Sequence, residues 1–377
     1  MTEVLLSDIC ELIVDCPHST AVDEGKGYPL VRTPNIGKGR LIYQGMHRVS
    51  KDVYLQRNKR ATPQEDDLIF AREATAGNVA LIQEGEKVCL GQRTVLIRPN
   101  KALVNPAFLT YFLLAPKQQY NLLSTANGAT VAHVNLPTIR NLKLELPDLD
   151  VQRRIAEVLS RYDALIENCQ RQIKLLEEAA QRLYKEWFVD LRFPGHQSTP
   201  IINNLPQSWQ KKSVNDVLTF HRGYDLTKNS FKNGKYPVVG STSILGYHCN
   251  YKIDGPGIVT GRSGSLGVYQ LIWENFWPHN TSLYVSDFKG HDIFFIYCLL
   301  NTLDFTTLNS GGAIPSLNRN TLSNIEVLEP SMDLQDAFSR IVKPMFVKQR
   351  NLSTQIRNLS EARDRLLPKL MSAEIEV

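Results

Sequence analysis

The side chains that could act as acids, bases or metal ligands in this 377-residue chain are scattered, and few stand at catalytic spacings. Asp15 and the run Glu24-Gly25-Lys26 offer two carboxylates and a lysine, a set with which metal-dependent nucleases hold a metal ion and activate water. Such residues belong on paired strands, whereas the Gly- and Pro-containing sequence around Glu24 is typical of a loop. We therefore do not expect a nuclease site here.

Histidines and glycine-rich loops give no stronger catalytic signal. His18, His133, His221 and His279 fall in predicted loops, and no Asp or Glu stands at a spacing that would complete a catalytic triad. The run 261–267, Gly-Arg-Ser-Gly-Ser-Leu-Gly, lacks the Gly-Lys-Ser/Thr ending and the following helix of a nucleotide-binding loop. The Gly-rich cofactor loop and the Asn-Pro-Pro-aromatic or Asp-Pro-Pro-Tyr tetrapeptide of methyltransferases are also missing. The sequence therefore predicts no catalytic residue on this chain.

Cysteine usage and hydropathy limit the class of protein. The six cysteines form no Cys-x-x-Cys pair and no Cys/His spacing suited to zinc, so we expect no metal and reduced thiols. The N-terminus lacks the basic region and apolar run of a secretory signal, and no apolar run approaches the roughly 20 residues that span a membrane. We expect a cytoplasmic chain.

Two basic stretches and several polar loops suit nucleic acid. Residues 26–60 hold nine Lys or Arg against one acid, and residues 211–252 hold seven against two. Such stretches favour a phosphate backbone, although a solvated loop face has the same composition. Arg suits guanine, Asn suits adenine, and hydroxyl groups suit phosphates. The predicted DNA-contacting residues, led by Arg72, Arg93, Arg222 and Arg262, are His18, Arg32, Asn35, Arg72, Arg93, Thr94, Arg222, Tyr224, Ser241, Arg262, Ser263, Asn280 and Thr281.

An internal repeat determines the organisation of the chain. Residues 135–152 align with residues 318–335 at a constant offset of 183. Weaker echoes precede the two copies, among them Asp8 with Asp216 and Tyr111 with Tyr297. The identical positions in the main repeat are Asn135/Asn318, Thr138/Thr321, Asn141/Asn324, Pro147/Pro330, Asp150/Asp333 and Gln152/Gln335.

A heptad-like apolar pattern follows each copy. From Val151 to Trp187 the apolar steps are 4, 3, 4, 3, 4, 4, 3, 4, 3 and 4, and the second copy keeps them except at Lys348 and Arg363. The extra step of four predicts a stutter in a coiled coil. We expect two helices of about 37 residues, or roughly 55 Å, with a kink at Pro344.

We expect the apolar stripes of the two helices to pack on each other, the alternative being two helices packed separately on their own domains. The predicted seam residues are Ile155, Val158, Tyr162, Leu165, Ile173, Leu176, Leu183, Phe338, Ile341, Met345, Leu352, Ile356, Leu359 and Leu366.

The segments before the helices predict two small domains rich in short strands, because β-branched and aromatic runs alternate with Gly, Pro and Asn. The fold class is therefore α+β, with two strand-rich domains, each followed by a long helix, and the helices packed as an antiparallel coiled coil in a pseudo-twofold repeat. The predicted bounds are 1–148 and 193–331 for the domains, and 149–192 and 332–377 for the helices.

The arrangement resembles the specificity subunits of type I restriction-modification enzymes over essentially the whole chain. No single motif is decisive, but their order and duplication are specific. The motifs are VDCPHST (14–20), VRTPNIGKG (31–39), GQRTVLIRP (91–99), PVVGSTSILGYH (237–248), GRSGSLG (261–267), FWPHNTSLYV (276–285) and PSLNRNTLSNIEVLEP (315–330).

The resemblance implies two target recognition domains that read the two halves of an asymmetric, interrupted sequence in double-stranded DNA. It implies that the helices fix the spacer, and that the partners are two methyltransferase subunits and separate motor-nuclease restriction subunits. No cofactor is expected on this chain, and S-adenosylmethionine is expected on the methyltransferase partners. The alternative from another class is a coiled-coil scaffold or adaptor that binds proteins but not DNA; the basic stretches and the unlike polar loops favour the DNA-reading interpretation.

Overall fold

The computed structural model describes residues 2–124, 133–231, 234–262, 267–303 and 325–377. Two compact units divide the chain: unit 1 comprises Met1–Asn168 with Gln355–Val377, and unit 2 comprises Cys169–Thr354. The predicted α+β class with two strand-rich domains and long helices is confirmed. The described α-helices are α1 (Lys51–Arg57), α2 (Pro106–Leu114), α3 (Pro116–Ser124), α4 (Leu136–Arg140), α5 (Leu149–Tyr184), α6 (Val214–Val217), α7 (Ile293–Leu300) and α8 (Met332–Met371).

The described residues of unit 1 form three small sheets. Their orders are β2-β8-β5-β6, β4-β3-β7 and β1-β9. The aliphatic runs of β5 and β8 are almost wholly buried, and they pack with α2 into the main core of the unit. The strands are β1 (Thr2–Leu5), β2 (Cys10–Asp15), β3 (Tyr28–Val31), β4 (His47–Val49), β5 (Leu68–Ala71), β6 (Val79–Leu81), β7 (Cys89–Leu90), β8 (Thr94–Pro99) and β9 (Lys143–Leu146).

Unit 2 repeats these sheets and adds a short hairpin, β10-β11. Its other orders are β13-β19-β16-β17, β15-β14-β18 and β12-β20, and each pairing corresponds to one in unit 1. The strands are β10 (Ile201–Ile202), β11 (Leu205–Pro206), β12 (Gln210–Ser213), β13 (Thr219–Arg222), β14 (Tyr236–Val239), β15 (Ile244–His248), β16 (Gly257–Gly261), β17 (Tyr269–Ile272), β18 (Trp277–Pro278), β19 (Ser282–Asp287) and β20 (Glu326–Glu329).

The glutamine shared by the sequence repeat fastens the start of each long helix to its unit. The Gln152 amide nitrogen donates to the carbonyl of Pro147 at 2.8 Å, and its oxygen accepts from the backbone N–H of Asn105 at 2.9 Å. In unit 2 Gln335 donates to the carbonyl of Pro330 at 2.9 Å, and its oxygen lies 2.8 Å from the ring Nδ1 of His291. The repeat therefore conserves a hydrogen-bonded junction.

The buried stripes on α5 and α8 correct the predicted seam. Leu165 is 51% exposed and Ile341 is 43% exposed, whereas Leu159 and Val342 are fully buried. The stripe takes Leu159 beside Val158, Ile166 beside Leu165 and Val342 beside Ile341. From Ile155 it runs 155, 159, 162, 166, 169, with alternating steps of four and three. The extra step of four therefore lies near the start of each helix, at 151–155–159 and 334–338–342, and not at the predicted position.

The other predicted seam residues are buried or half-buried, and helix α8 continues without a break through Pro344 and Lys348. Lys348 is exposed and lies outside the stripe. Helix α8 continues through Pro344, and the kink expected there stays a prediction. The buried or half-buried predicted residues are Ile155, Val158, Tyr162, Ile173, Leu176, Leu183, Phe338, Met345, Leu352, Ile356, Leu359 and Leu366.

In unit 1 the start of α5 and the end of α8 run antiparallel and share a buried ion pair. Arg154 donates to the backbone oxygen of Val377 at 2.7 Å, while Arg363 donates to Asp163 at 2.6 Å. The Tyr111 hydroxyl donates to the second oxygen of Asp163 at 2.5 Å. Burial, followed by the Asp163 charge, raises the pKa of Tyr111. Arg363, which breaks the apolar pattern in the sequence, thus has a buried partner.

Unit 2 fills the corresponding place with aromatic rings. With the offset of 183, Asp163 corresponds to Phe346 and Arg363 to Ala180, both buried. Phe346 packs edge-on against Tyr297, with ring centroids 5.5 Å apart, where unit 1 has the hydrogen bond of Tyr111. A further aromatic cluster contains Tyr184, Trp187, Phe188, Phe295 and Phe338. None of the described helices is long and apolar enough to cross a membrane.

Candidate nucleic-acid interface

One edge of the main sheet in each unit gathers most of the predicted DNA-contacting residues. In unit 1 the ends of β2 and β5 flank the start of β8, because Asp15 pairs with Val95 and Ala71 pairs with Thr94. In unit 2 the ends of β13 and β16 flank the start of β19. We call these two edges, with the loops that leave them, the sheet ends.

Equivalent backbone hydrogen bonds align the two sheet ends residue by residue. The N–H of Arg72 donates to the carbonyl of Arg93 at 2.9 Å, as that of Arg262 donates to Thr281 at 3.2 Å. The N–H of Cys16 donates to Thr94 as that of Gly223 donates to Ser282. The equivalent pairs are therefore Asp15 and Arg222, Arg72 and Arg262, Arg93 and Thr281, and Thr94 and Ser282.

The Arg72 guanidinium of unit 1 is buried, and each of its three nitrogens makes a hydrogen bond. Arg72 is 8% exposed, and its NH1 donates to both oxygens of Asp15 at 2.9 Å. Its Nε donates to the carbonyl of Val134 at 3.0 Å, and its NH2 lies 2.9 Å from Nε2 of His133. Four of its five N–H donors are thus used inside the unit, and the buried guanidinium is poorly placed to meet a base.

Asn35 and Thr94 are also used internally. Asn35 is 2% exposed; its oxygen accepts from the N–H of Arg32 and its nitrogen donates to the carbonyl of Ile42. Thr94 is fully buried, and its hydroxyl donates to the carbonyl of Gly91 at 3.0 Å. Asn35, Thr94 and Arg72 are thus buried and bonded within the unit, which disfavours the DNA contacts that the sequence predicts for them.

A series of hydrogen-bonded polar side chains extends from Arg72 to the surface of unit 1. Because arginine only donates, Nε2 of His133 accepts from Arg72, which leaves Nδ1 as the donor to Glu73 at 2.7 Å. The other Glu73 oxygen pairs with Arg93 at 2.8 Å, and the Arg93 side chain is 61% exposed. At the other end of this series of side chains, exposed His18 lies 3.2 Å from Asp15. Arg93 and His18 are therefore the accessible predicted residues here.

The basic stretch of unit 1 borders an open pocket of about 620 Å³ lined by Ser19, Arg57, Lys59 and Arg60, among others. Arg57 is buried and holds the neighbouring loop, since its NH2 donates to the carbonyl of Ser19 at 3.0 Å and its Nε to that of Leu90 at 2.6 Å. Burial lowers the pKa of its guanidinium. Lys59 and Arg60 are exposed and can meet phosphates, while half-buried Arg32 donates to the carbonyl of Gly45.

In unit 2 the predicted residues converge on the loop 279–281. The carbonyl of Thr281 accepts from the Ser241 hydroxyl at 2.8 Å and from the N–H of Arg262 at 3.2 Å. The carbonyl of Asn280 accepts from Nε of Arg222 at 3.4 Å. These bonds bring Arg222, Ser241, Arg262, Asn280 and Thr281 together at one surface.

The arginines at this surface stay accessible. Arg222 has a side chain that is 53% exposed, and its NH2 lies 4.0 Å from Asp225, which also accepts a hydrogen bond from Asn280. Arg262 is exposed, and no carboxylate among the described residues lies within 4.0 Å of its guanidinium. Ser263, which was also predicted to contact DNA, lies outside the described residues.

Tyr224 lies in an aromatic cluster beside this surface and is half-buried. Its hydroxyl lies 3.1 Å from that of Tyr284, and Lys252 stands 5.5 Å from its ring and 5.0 Å from that of Trp277. Burial, followed by the hydrogen bond with Tyr224, raises the pKa of Tyr284. The Tyr224 ring is thus already packed inside the unit.

The residues considered for catalysis have internal partners. Asp15 is bound to Arg72, and Glu24 accepts from the backbone N–H and the hydroxyl of Ser50 at 3.0 and 3.1 Å. Within the described ranges no group of three His, Cys, Asp or Glu could hold a metal ion. The imidazole of His279 lies 2.9 Å from the Thr281 hydroxyl and 3.0 Å from the carbonyl of Leu226.

Sequence reasoning missed the partners that decide which residues stay accessible. Asp15, Glu73 and His133 determine the exposure of Arg72 and Arg93, and Lys252 with Trp277 encloses Tyr224. Asp15 occurs in VDCPHST (14–20), but its partner lies 57 residues further along the chain. A residue-by-residue alignment of the two units, with a variable offset, would have matched Asp15 with Arg222 and signalled the difference.

The two strand-rich units share one strand order but carry different polar side chains at their sheet ends, as expected of a duplicated binding domain. Comparison with known families identifies the class of protein. The family model for the type I restriction modification DNA specificity domain matches residues 1–178 and 206–360. The chain therefore belongs to this family. It is a DNA specificity subunit and not an enzyme, because catalysis in type I systems lies in partner subunits.

Individual relatives agree with the family. The chain is 26% identical to the type I restriction enzyme MjaIX specificity subunit of Methanocaldococcus jannaschii, over 99% of this chain and 93% of that protein. It is 22% identical to the HindI specificity subunit of Haemophilus influenzae, over 74% and 80% of the two chains. The crystal structure of a type I S subunit from M. genitalium shares the fold, with a TM-score of 0.58, 17% identity and coverage of 98% and 95%.

Proposed function

We propose that the chain reads an asymmetric, interrupted sequence in double-stranded DNA, with unit 1 on one half and unit 2 on the other. The observation that carries this proposal is the equivalence of the two sheet ends, which share their backbone hydrogen bonds but carry different accessible side chains. Two units with the same backbone structure at their sheet ends can dock on DNA in the same way, while different side chains select different bases. Arg93 is accessible in unit 1, and Arg222 and Arg262 are accessible in unit 2.

We further propose that α5 and α8 set the number of unread base pairs between the two halves. Both helices continue well beyond the length of an average helix, at 36 and 40 residues. The heptad-like stripe on each helix, with one extra step of four near its start, is the pattern of a helix that packs along its length on a partner helix. A rigid spacer of this kind explains why a recognition protein would devote so much of its chain to two helices.

A type I specificity subunit works with DNA and with methyltransferase and restriction subunits. We propose that two methyltransferase subunits dock on the long helices, and that they carry S-adenosylmethionine. Apolar side chains that are exposed on these helices support the docking, among them Leu165 and Leu175 on α5 and Ile341 and Val347 on α8. Motor-nuclease subunits would join the restriction complex, and the assembly would act in the cytoplasm.

Mapping of methylated adenines tests the proposal directly. The chain is combined with its cognate methyltransferase subunit, methyl donor and genomic DNA, and single-molecule sequencing locates every modified base. We expect methylation at one asymmetric, interrupted motif, and only when the chain is present.

The control omits the chain but keeps the methyltransferase, whose activity is confirmed by methyl-donor binding. A continuous motif, a symmetric motif, or methylation that does not depend on the chain would contradict the proposed function. Replacement of Leu165 and Leu175 by Ser should weaken co-purification of the methyltransferase subunit, and unchanged co-purification would contradict docking on α5.

A further inference from the structure

The two arginines at equivalent positions of the sheet ends, Arg72 and Arg262, have opposite environments. Both follow the end of a central strand, β5 or β16, and both donate their backbone N–H to the residue before the start of β8 or β19. Arg72 is 8% exposed and makes hydrogen bonds through all three guanidinium nitrogens, whereas Arg262 is exposed.

The residue at the neighbouring strand end explains the difference. In unit 1 this position is Asp15, whose carboxylate binds Arg72 through both oxygens. In unit 2 the equivalent position is Arg222, a second cation, which cannot pair with Arg262. The two positions thus carry no net charge in unit 1 and a charge of +2 in unit 2. Arg262 therefore lacks the carboxylate partner that Arg72 has, and its exposed guanidinium is accessible to a ligand.

We propose, on the basis of the function proposed above, that Arg262 selects a guanine in the half-site read by unit 2, and that the equivalent Arg72 reads no base. A guanidinium matches the two acceptors, O6 and N7, that guanine presents in the major groove. The backbone N–H of Arg262 is held by the carbonyl of Thr281, so its Cα has a fixed place beside the loop 279–281. Arg222 is less suited to select a base, since Nε is used by Asn280 and NH2 lies 4.0 Å from Asp225.

Arg93 takes the corresponding role at a different position of unit 1. It is equivalent to Thr281 and not to Arg262, and its exposed guanidinium has one ion pair, with Glu73. An accessible arginine therefore stands on the turn before β8 in unit 1 and after the end of β16 in unit 2. If both units dock in the same orientation, the two half-sites carry their arginine-read guanines at different places in the half-site.

The test compares three variants of Arg262 in the complete methyltransferase complex. Arg262→Ala should relax the motif at one G·C pair of one half-site, with a loss of discrimination of roughly 5- to 150-fold against the other bases. Arg262→Gln should move the preference at that pair toward A·T, since glutamine matches adenine. Arg262→Lys should keep a weakened preference for guanine, since lysine can also donate to O6 and N7.

The matched control is Lys211→Ala, which removes an exposed ion pair with Glu326 in the same unit but on the sheet β12-β20. The control should leave the motif unchanged. Relaxed selectivity at one base pair supports the proposal. A uniform fall in methylation at an unchanged motif would instead show a phosphate contact and overturn it, as would an unchanged motif with unchanged rates.

The wild-type complex separates failure of this inference from failure of the proposed function. If wild-type chain directs methylation to an interrupted motif but the Arg262 variants keep full selectivity, only the role of Arg262 is wrong. A motif whose unit 2 half contains no G·C pair also overturns it. If the wild-type chain directs no specific methylation, the proposed function itself fails.

Discussion

Unit 1 buries an ion pair at its sheet end, Asp15 with Arg72, whereas unit 2 places two exposed arginines at the equivalent positions, Arg222 and Arg262. The helix pairs differ in a comparable way. Unit 1 holds the polar contact of Asp163 with Arg363 in its stripe, and unit 2 places aromatic and small apolar side chains at the corresponding positions. The strand orders remain the same throughout.

The comparison shows that the two units share their backbone hydrogen bonds, while the side chains at equivalent positions differ. The bonds that align Arg72 with Arg262 are made by backbone atoms, which any residue supplies. A change from Asp to Arg at one strand end then decides whether the neighbouring arginine is a structural residue or an accessible one. Two different DNA-reading surfaces can thus arise from one domain plan.

The largest difference between the units should appear when the equivalent arginines are removed. Arg72→Ala leaves the Asp15 carboxylate without its arginine partner and removes the bonds to Val134 and His133, so we expect a loss of about 3–5 kcal/mol in the free energy of unfolding. Arg262→Ala should change stability by less than about 0.5 kcal/mol, since its side chain is exposed. Urea unfolding of both variants measures the difference, and equal losses would contradict the comparison.

In the helix seam of unit 1, replacing both Asp163 and Arg363 by the residues of unit 2 should cost less stability than removing Arg363 alone. Arg363→Ala leaves Asp163 buried with Tyr111 as its remaining side-chain donor of those described above, which should cost about 3 kcal/mol. The double variant Asp163→Phe with Arg363→Ala installs the pair found in unit 2 and should recover much of that loss. A double-mutant cycle followed by thermal unfolding measures the coupling. Additive effects of the two substitutions would show that the ion pair is unimportant.

The glutamine junctions should behave alike, because both units have them. Gln152→Ala and Gln335→Ala each remove two hydrogen bonds at the start of a long helix, so each should cost about 1–3 kcal/mol. Calorimetry on both variants tests this, with Gln349→Ala on α8 as a comparison. If only one of the two substitutions lowered the free energy of unfolding, the shared glutamine would stabilise one junction and not the other.

The smallest predicted effect is a pH dependence at the start of α6. The hydroxyl and backbone N–H of Ser213 donate to Asp216 and lower the pKa of its carboxyl. A lowered folded pKa stabilises the fold above the unfolded pKa of about 3.9, and this stabilisation disappears as the pH falls through the folded pKa. Asp216→Asn should therefore lower the midpoint of thermal unfolding slightly at pH 7 and by less near pH 3. A difference between wild type and variant that grows in acid would contradict this assignment.

The two long helices and the two strand-rich domains could be predicted from the sequence because they occur twice in it. The shared Gln152 and Gln335 and the parallel apolar steps indicated two long helices, and the structure has both. The stripe was displaced locally because apolar residues stand side by side at 158–159 and 165–166. Periodicity alone does not choose between such neighbours, and packing against the rest of the unit places Leu159 inside and Leu165 outside.

The sheet ends could be predicted only in part. Loop composition pointed to the residues around 279–281, which the structure brings together at one surface, but it could not distinguish exposed from buried arginines. Burial of Arg72 depends on Asp15, on His133 and on a carbonyl of Val134, which lie far apart in the sequence. Local patterns carry no information about such long-range partners, so Arg72 and Arg262 looked equally suited to DNA.

The most direct test of a division of labour between the units is to map methylation with Arg93→Ala and Arg262→Ala in parallel. We predict that the first substitution relaxes one half of the interrupted motif and the second relaxes the other half, each leaving the opposite half and the spacer unchanged. If both substitutions altered the same half, or each altered both halves, the assignment of one half-site to each unit would be contradicted.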